Sequence, residues 1–467
     1  MLPIVSIPEL VQHYAPAYRT VFTEAQYKHF QRYLSGLLIC EHKTISRINE
    51  AFILDPLDQS TLNRFLTQSR YEVSDLNAIR LGQLQTRPAT RMRIRGRKGV
   101  LGIDDTLLVH VGKHIEEVSK LWDHANDRYV LAHNLVNLYY SDDRVDYPID
   151  FELWEPPDVE VIESGLQALG VPMQAGKEKL KKTDPVKWRK YLLGLCKRRL
   201  SEYPALGALY QTKVVLAMEL LGRFFQQYPE HDLPIAFDTW YTTPQMCSYI
   251  DQELKRGYLG ALKLDKAQVL RANKTYKPIK VFIQELKVSQ LKGEKTHFHY
   301  TYFKVKGQEY SYYTYCRTHQ INNYGKVRVL ISFQNHDLSD EPKVCISNKL
   351  DWPANSICRI YRHRWPVEPF HQEAKLEGLD KYQIRKFPAV RRHIAYVLII
   401  FSMLTMARKD EALLKKLQLT PDATEQSLAF WRRISQAHML IAQWSMLALE
   451  KGLSWEKIIQ TIFKAYF

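Results

Sequence analysis

The chain has 467 residues, of which 45% are apolar and 25% are charged. This composition is typical of a folded globular protein and excludes extensive disorder, and the length predicts about two to four domains. The 66 Lys and Arg residues outnumber the 50 Asp and Glu residues, so the formal net charge is +16. Such a positive charge indicates a polyanionic partner.

The six cysteines are scattered along the chain, and none of them forms a CxxC pair. This distribution argues against a zinc ribbon and against a disulfide scaffold, so we expect reduced thiols. The first ten residues lack the basic region of a signal peptide. The longest apolar stretch, residues 394–407, is too short to span a bilayer and is interpreted as a buried core helix. These features predict a soluble cytoplasmic protein without a membrane partner.

The first 86 residues show apolar positions at helical spacing, and helix starts are indicated at Thr44, Ser60 and Ser74. We predict a domain of four or five short helices at residues 1–86. Residues 87–98 combine Arg and Lys with Pro and Gly, and they are interpreted as a basic linker. A solvated hinge and a linker that crosses a nucleic-acid backbone would have the same composition.

After residue 98 the pattern changes to an alternation of strands and helices. Strands are predicted at 100–104, 129–140, 147–154, 233–237 and 258–263, and helices at 206–228 and 243–256. This order predicts an α/β sheet with an antiparallel start and parallel additions. The first part of this domain is residues 99–264, a β-rich block at 265–347 interrupts it, and residues 348–386 complete it. A helical C-terminal region is predicted at 387–467.

Residues 177–199 contain ten basic residues and only two acidic ones. Trp188 and Tyr191 lie among them, as is typical of surfaces on which bases or sugars stack beside phosphates. A solvated helix face is the alternative interpretation. We favour contact with a DNA backbone, made by Lys181, Lys182, Arg189 and Lys190.

Acidic residues stand where two apolar strands are predicted to end. Asp104 and Asp105 follow the first strand, and Asp238 follows the strand at 233–237. A carboxylate at the carboxyl end of a strand faces the open crevice of an α/β sheet, where catalytic groups are found. An Asp at such a position also commonly caps a turn.

Four further residues share one face of a predicted helix: Tyr361, Arg364, Glu368 and Lys375. At 3.6 residues per turn they fall within about 60° of one another. A helix face with a phenol, a guanidinium, a carboxylate and an ammonium is better suited to binding a metal ion and phosphate than to packing in an apolar core. Pro366 and Pro369 disfavour an uninterrupted helix, so a second possibility is a helix that starts near Trp365.

These four residues match the Y-x2-R-x3-E-x6-K signature of bacterial insertion-sequence transposases of the DDE type. Residues 103–106 and 236–241, which contain Asp105 and Asp238, resemble the two Asp blocks of the same family. The β-rich block and the helical N-terminal domain are also features of that family. The resemblance therefore covers nearly the whole chain.

The resemblance implies a ribonuclease-H-like catalytic core in which Asp105, Asp238 and Glu368 hold two Mg²⁺ ions, which Mn²⁺ can replace. Hard oxygen ligands suit these ions. Asp105 directly precedes Thr106, where the family's ligand stands, and is therefore chosen over Asp104, which is expected to point away and to cap the turn. In the family, residues equivalent to Tyr361, Arg364 and Lys375 contact phosphates near the cut end of the DNA.

The function that the resemblance implies is that of a DNA transposase. Such an enzyme binds the terminal inverted repeats of its mobile element as a homodimer, cuts the ends and joins the 3′-OH groups to double-stranded target DNA. Two alternatives remain, a catalytically silent regulator derived from a transposase and a ribonuclease-H-like nuclease without strand transfer. Some relatives stack a flipped base on a Trp of the last strand of the β-rich block; here Trp240, Trp352 or a Tyr of the block could serve instead.

Overall fold

The computed structural model describes residues 4–52, 55–112, 114–417 and 427–452, together with Ser454 and Glu456. Parts of the predicted C-terminal helical region, including residues 418–426 and 457–467, lie outside the described residues.

The N-terminal part consists of short helices, as predicted: α1 (Glu9–Tyr14), α2 (Glu24–Ile39), α3 (Ile45–Ala51), α4 (Gln59–Gln68) and α5 (Val73–Thr86), with a 3₁₀ turn at Ala15–Val21. Thr44 caps α3 by accepting a hydrogen bond from the Arg47 backbone N–H, which confirms one predicted helix start. The next cap is Asp58 rather than Ser60, because the Asp58 carboxylate accepts from the Ser60 N–H.

Within the described residues, twelve strands form one mixed sheet: β1 (Gly99–His110), β2 (Ser119–Asp123), β3 (Arg128–Asp142), β4 (Asp146–Trp154), β5 (Ile235–Phe237), β6 (Tyr258–Ala261), β7 (Gln268–Leu270), β8 (Tyr276–Pro278), β9 (His299–Val305), β10 (Gln308–Ile321), β11 (Gly325–Phe333) and β12 (Lys343–Ser347). Their order is β2-β3-β1-β5-β6-β12-β11-β10-β7-β8, with β4 paired to β3 and β9 paired to β10. β1 pairs antiparallel with β3 and parallel with β5. The predicted antiparallel start and parallel addition are confirmed.

Strand β1 is longer than the sequence predicts. The expectation that it ends at Asp104 is wrong, because β1 stays paired with β3 as far as His110. Asp104 and Asp105 therefore lie within a strand and not at its end. By contrast, Asp238 does directly follow the last residue of β5.

The β-rich block continues the same sheet. Strand β12 pairs antiparallel with β6, so the strands from β7 to β12 extend the sheet beyond the α/β part. The block also contains one helix, α11 (Ile279–Leu291).

Helices connect and cover the sheet: α6 (Val159–Ala168), α7 (Leu180–Thr183), α8 (Pro185–Arg199), α9 (Lys213–Gln227), α10 (Pro244–Ser248), α12 (Ala354–Arg364), α13 (Val367–Leu376), α14 (Phe387–Ala407), α15 (Glu411–Lys416) and α16 (Leu428–Lys451). The predicted helix at 206–228 begins only at Lys213, because residues 204–208 form a 3₁₀ turn and Thr212 supplies the cap.

The N-terminal helices share one apolar core with the sheet and with α14. Arg80 of α5 is buried, and its guanidinium donates to the carbonyls of Pro148 and Ile149 on β4 and to the Ser402 hydroxyl on α14. Residues 87–98 are also docked, since Thr90 and Met92 are buried and the Arg93 N–H donates to the Tyr140 hydroxyl. The segment predicted as a linker thus lies against the sheet.

Helix α14 is longer than the predicted stretch because it begins at Phe387. Its 21 residues are long and apolar enough to cross a membrane, so the prediction that it is too short is wrong. However, 78% of its most apolar window is buried inside the protein, where it packs against α5, α2 and α4. Burial among other helices is the expected environment of a core helix.

Candidate active site

The neighbouring residues Asp104 and Asp105 point to opposite faces of the sheet, as successive residues of a strand do. Asp104 pairs with Asn137 of β3, whose side-chain amide donates to His371 of α13. The face that carries Asp104 is therefore the face covered by α12 and α13. Gly102, two residues earlier on this face, lies directly under the backbone of Arg364.

The side chains of Asp104 and Asp105 are equally exposed, at 16%, but Asp104 is the less compensated of the two carboxylates. Its Oδ1 accepts from the Asp105 N–H at 2.9 Å, and its Oδ2 accepts from Arg364 at 2.9 Å. Burial raises the pKa of Asp104 to about 7; the Arg364 charge opposes this shift, and the charges of Asp238 and Asp105 add to it. A carboxyl group in this environment would gain most from an additional cation.

Asp105 faces α9 and has its own set of donors. Its Oδ2 accepts from Lys213 at 2.8 Å and from the Asn134 amide at 2.7 Å, and its Oδ1 accepts from the Tyr241 hydroxyl at 2.9 Å. The expectation that Asp104 points away and caps a turn is wrong, because Asp104 faces the helices and no turn is present there. Asp105 is the residue that points away from Glu368.

Asp238 lies beside Asp104. The parallel register aligns Gly102 with Ala236 and Ile103 with Phe237, so Asp104 and Asp238 are the next positions on two adjacent strands. The Asp238 Oδ1 accepts from the backbone N–H groups of Trp240 and Tyr241, at 2.9 and 3.2 Å. Burial raises the pKa of Asp238, although these N–H groups and Arg364 oppose the shift.

The predicted signature helix is divided into two helices. Tyr361 and Arg364 lie on α12, Glu368 and Lys375 lie on α13, and the break falls at Trp365 and Pro366. The proline therefore has the predicted effect, since it cannot continue the hydrogen-bond pattern of α12. Across the break, Arg364 still donates to Glu368 Oε1 at 2.9 Å, so these two residues remain close.

Arg364 joins the first and the last acidic residue. Its side chain is only 7% exposed, and it pairs with Asp104 and Glu368 at the same time. Burial alone would lower the pKa of Arg364, but the negative charge of Asp104 raises it. Tyr361 packs beside it, with the guanidinium carbon 5.5 Å from the ring centroid, and burial raises the pKa of Tyr361 to about 12.

The acidic residues fit a hard divalent cation in chemistry and in placement on one face. Asp104, Asp238 and Glu368 offer only oxygen donors, which suit Mg²⁺ or Mn²⁺. In the part of the chain that the structure describes, however, no three His, Cys, Asp or Glu side chains are arranged closely enough to hold an ion. The guanidinium of Arg364 stands between two of these carboxylates, those of Asp104 and Glu368.

The predicted DNA-backbone cluster forms the 3₁₀ turn Lys177–Lys179 and the helices α7 and α8. Lys181, Lys182 and Lys190 are all exposed, and Lys181 also pairs with Glu163 at 3.0 Å. The expectation that Trp188 stacks on bases is wrong, because this ring is 2% exposed and packs in a separate apolar cluster with α6. Trp352 is also buried, at 7% exposed, so it cannot receive a base.

Sequence reasoning missed the residues that hold the Asp105 carboxylate. Lys213 begins α9, Tyr241 follows β5 and Asn134 lies on β3, so they come together only in the folded sheet. One feature of the sequence could have indicated Tyr241, namely its position in the motif block around Asp238.

The family model of the DDE superfamily endonucleases matches residues 17–278, which is more than half of the chain. The matched segment contains Asp104, Asp105 and Asp238 and ends before Glu368. A comparison with curated proteins finds no match. Enzymes of this superfamily act on DNA and generally use divalent metal ions. The predicted DDE-type family is thereby confirmed, and the chain belongs to the DDE superfamily endonucleases.

Proposed function

We propose that this chain is a DNA transposase of the insertion-sequence type. It binds the terminal inverted repeats of its element, cuts the ends and joins the 3′-OH groups to target DNA. Because two ends must be brought together, we infer that a homodimer acts on the DNA. A prokaryotic cytoplasm, in contact with the nucleoid, is the matching location.

The observation that carries this proposal is the placement of three acidic residues on one face of the sheet. Asp104 and Asp238 are neighbours on parallel strands, and Glu368 reaches the same place through its contact with Arg364. The strand order β4-β3-β1-β5-β6, with three antiparallel strands followed by two parallel additions, supports a ribonuclease-H-like core. Strands β7 to β12 would then be the insertion into that core.

We propose Asp104 in place of Asp105 as the first metal ligand. Asp105 already accepts three hydrogen bonds, one of them from an ammonium group, and it lies on the face away from Glu368. Asp104 lies beside Asp238 and is linked to Glu368 by Arg364. The sequence-based choice of Asp105 rests on its position before Thr106, and the substitutions described in the Discussion decide between the two.

Asp104, Asp238 and Glu368 would hold two Mg²⁺ ions, with Mn²⁺ as a substitute. When bound, such ions activate the attacking oxygen and stabilise the leaving oxygen of an in-line displacement at phosphorus. Arg364 and Lys375 would contact the phosphates that flank the cut, since cationic donors bind phosphate oxygens strongly. Tyr361 would orient Arg364, because its ring packs against the guanidinium.

The basic residues on α7 and α8 would bind the DNA backbone, together with the N-terminal helices. Lys182, Arg189 and Lys190 are the proposed contacts, with Lys181 held partly by Glu163. Residues 1–86 share their core with the sheet, so recognition of the repeat by these helices would take place on the assembled protein and not on a separate domain.

A strand-transfer assay tests the proposal. Labelled DNA from either side of the gene, which should contain inverted repeats, is incubated with the purified full-length chain, Mg²⁺ and a plasmid target. A transposase cuts at the repeat ends and joins the label to the plasmid. A nuclease of the same superfamily cuts without joining, and a silent regulator binds without cutting, so each alternative gives its own result.

A further inference from the structure

We propose that α4 is the helix that reads bases of the terminal repeat, and that the groove beside α4 holds the adjacent DNA backbone. This inference rests on the proposed function, since it assumes that the chain binds such repeats. It deepens that function by naming the side chains that would determine sequence specificity, which are Gln59 and Asn63 of α4, and a backbone contact, which is Arg385.

One side of α4 is packed in the core, and the other side is exposed. Leu62, Phe65 and Leu66 are buried in the apolar core that the N-terminal helices share with the sheet. Gln59 and Asn63 are exposed, and their side-chain amides have no hydrogen-bond partner within the described part of the chain. The helix is therefore held firmly, while its amide groups are available to a ligand.

The exposed side of α4 has the chemistry of a surface that reads bases. It carries amides, hydroxyls and one guanidinium, that of Arg64, and the ten residues of the helix include no Asp or Glu. Asn and Gln pair with the edge of adenine in the major groove, and Arg pairs with guanine. At 1.5 Å per residue the helix is about 15 Å long, and the major groove, about 12 Å wide, admits an α-helix.

The other N-terminal α-helices are less suitable for this role. A carboxylate in a helix repels the phosphates of DNA, and α1, α2, α3 and α5 each contain one: Glu9, Glu24, Glu50 and Asp75. Helix α5 is in addition packed between the sheet and α14 through Arg80. Among the described N-terminal α-helices, α4 thus best matches a DNA ligand in charge.

A polar groove of about 410 Å³ lies between α4 and residues 382–386. The two amides line its α4 side, Arg385 and Lys386 line the opposite side, and no Asp or Glu of the described residues lines it. Lys386 pairs with Glu116 at 2.7 Å, whereas Arg385 is exposed and has no ion pair in the described ranges. The groove therefore complements a DNA strand whose bases face α4 and whose phosphates face Arg385.

The groove lies at a distance from the carboxylates that one duplex can span. The Tyr382 hydroxyl lines the groove and is hydrogen-bonded to His133 Nδ1 at 2.6 Å. His133 is the partner of Leu108 on β1, which stands four residues beyond Asp104. Four strand residues span on the order of 13 Å, which corresponds to about four base pairs of 3.4 Å each. We therefore expect α4 to read bases about four or more base pairs from the cut.

The test compares two fluorescent duplexes with full-length protein in Ca²⁺ buffer, which prevents cleavage. One duplex comes from the flank of the gene and contains an inverted repeat, and the other has the same bases in scrambled order. We expect the double variant Gln59→Ala, Asn63→Ala to bind the repeat duplex about tenfold more weakly or worse, and the scrambled duplex as the wild type does, because amide–base contacts provide discrimination. Arg385→Ala should weaken both duplexes equally and reduce the salt slope by about 1.

Gln226→Ala is the matched control, because Gln226 is also an exposed amide but lies on α9, outside the groove. It should bind both duplexes as the wild type does. Equal weakening of both duplexes by the double variant, or no weakening of either, would overturn the assignment of α4. A wild type that does not prefer the repeat duplex would instead refute repeat recognition and with it the proposed function, so the two failures are distinguishable.

Discussion

Arg364 donates a hydrogen bond of 2.9 Å to Asp104, which lies 260 positions earlier in the chain. The same guanidinium donates to Glu368 one helical turn further on, and its side chain is almost completely buried. The carboxylates of the mostly buried Asp104 and the partly exposed Glu368 leave their negative charges uncompensated unless a cation lies between them. Arg364 is that cation here, and a metal ion would compete with it for the same oxygens.

This relationship predicts the effect of Arg364→Gln. Without metal, the variant should lose on the order of 3 kcal/mol of stability, because the mostly buried Asp104 carboxylate loses its cationic partner and the partly exposed Glu368 loses an ion pair. Added Mn²⁺ should stabilise the variant more than the wild type, since the ion no longer competes with the guanidinium. Urea unfolding with and without Mn²⁺ measures both effects. Arg359→Gln, on the same helix but paired with Asp143, is the control and should show no enhanced response to Mn²⁺; equal responses in both variants would contradict the counterion role.

Substitution of the neighbouring acids separates the two possible ligands. Asp104→Asn should abolish cleavage of a labelled repeat end, whereas Asp105→Asn should leave measurable cleavage. In the second variant the amide oxygen can accept from Lys213 and Asn134, and the amide N–H can donate to the Tyr241 hydroxyl, so the α9 face keeps its arrangement. A gel shift with the same proteins shows that DNA binding is retained. The reverse order of activities would restore the sequence-based choice of Asp105.

The exposed lysines of α7 and α8 should contribute to DNA binding without regard to sequence. Replacing Lys182 and Lys190 together with Ala should weaken binding to all duplexes equally and should reduce the salt slope by about 1 for each phosphate that is no longer neutralised. Lys181→Ala is the comparison, because its ammonium is already paired with Glu163, and its effect should be smaller. Fluorescence anisotropy at several salt concentrations provides the slopes. An unchanged slope in the double variant would identify a solvated helix face.

Arg80→Met tests whether the N-terminal helices are part of the same core as the sheet. The substitution leaves the buried carbonyls of Pro148 and Ile149 without their donor, so we expect a decrease on the order of 3 kcal/mol in the free energy of unfolding. A single transition should remain, because the helices and the sheet would unfold together. Arg64→Met, at an exposed position of α4, should cost little. Two separate transitions in the wild type would show that residues 1–86 fold alone.

His393 should make the protein less stable in acid. It is fully buried, its Nε2 donates to the Gly378 carbonyl at 2.7 Å, and its Nδ1 accepts from the Tyr33 hydroxyl. Burial lowers the pKa of His393 to about 4, below its ordinary value of 6.5. The unfolded chain therefore binds a proton more readily between pH 6.5 and pH 4, and stability falls as the pH falls through this range, by about 3 kcal/mol for this residue.

His393→Gln should show a correspondingly smaller decrease of stability between pH 6.5 and pH 4, because the glutamine can form both hydrogen bonds but does not titrate. Denaturant unfolding at a series of pH values provides the measurement. His42→Gln is the control, since His42 is exposed. An identical pH dependence of His393→Gln and the wild type would mean that His393 does not titrate in this range.

Local patterns in the sequence were sufficient for much of the fold. The strands around residues 129–140 and 147–154 were found because apolar and aromatic side chains alternate or run continuously there, and both are confirmed. The Thr44 cap and the break at Pro366 were also predictable, since capping and the missing proline N–H act within a few residues. The DDE-type family was predictable from short motifs, because such motifs are recognised by residue type and spacing along the chain. No distance in the folded protein is needed for that.

What the sequence could not determine is which side chains meet across the sheet. Asp104 and Asp105 have the same chemistry and adjacent positions, and only the pairing of β1 with β3 and β5 fixes which of them faces Arg364. Trp188 has the same local signature as a stacking residue, yet packing against α6 buries it. Lys213, Tyr241 and Asp105 come together from three separate elements.

The sequence by itself determined the secondary-structure elements and the family, because both depend on local patterns. The tertiary structure alone decided which side chains meet in the site, because strand register and helix packing depend on residues far apart in the chain.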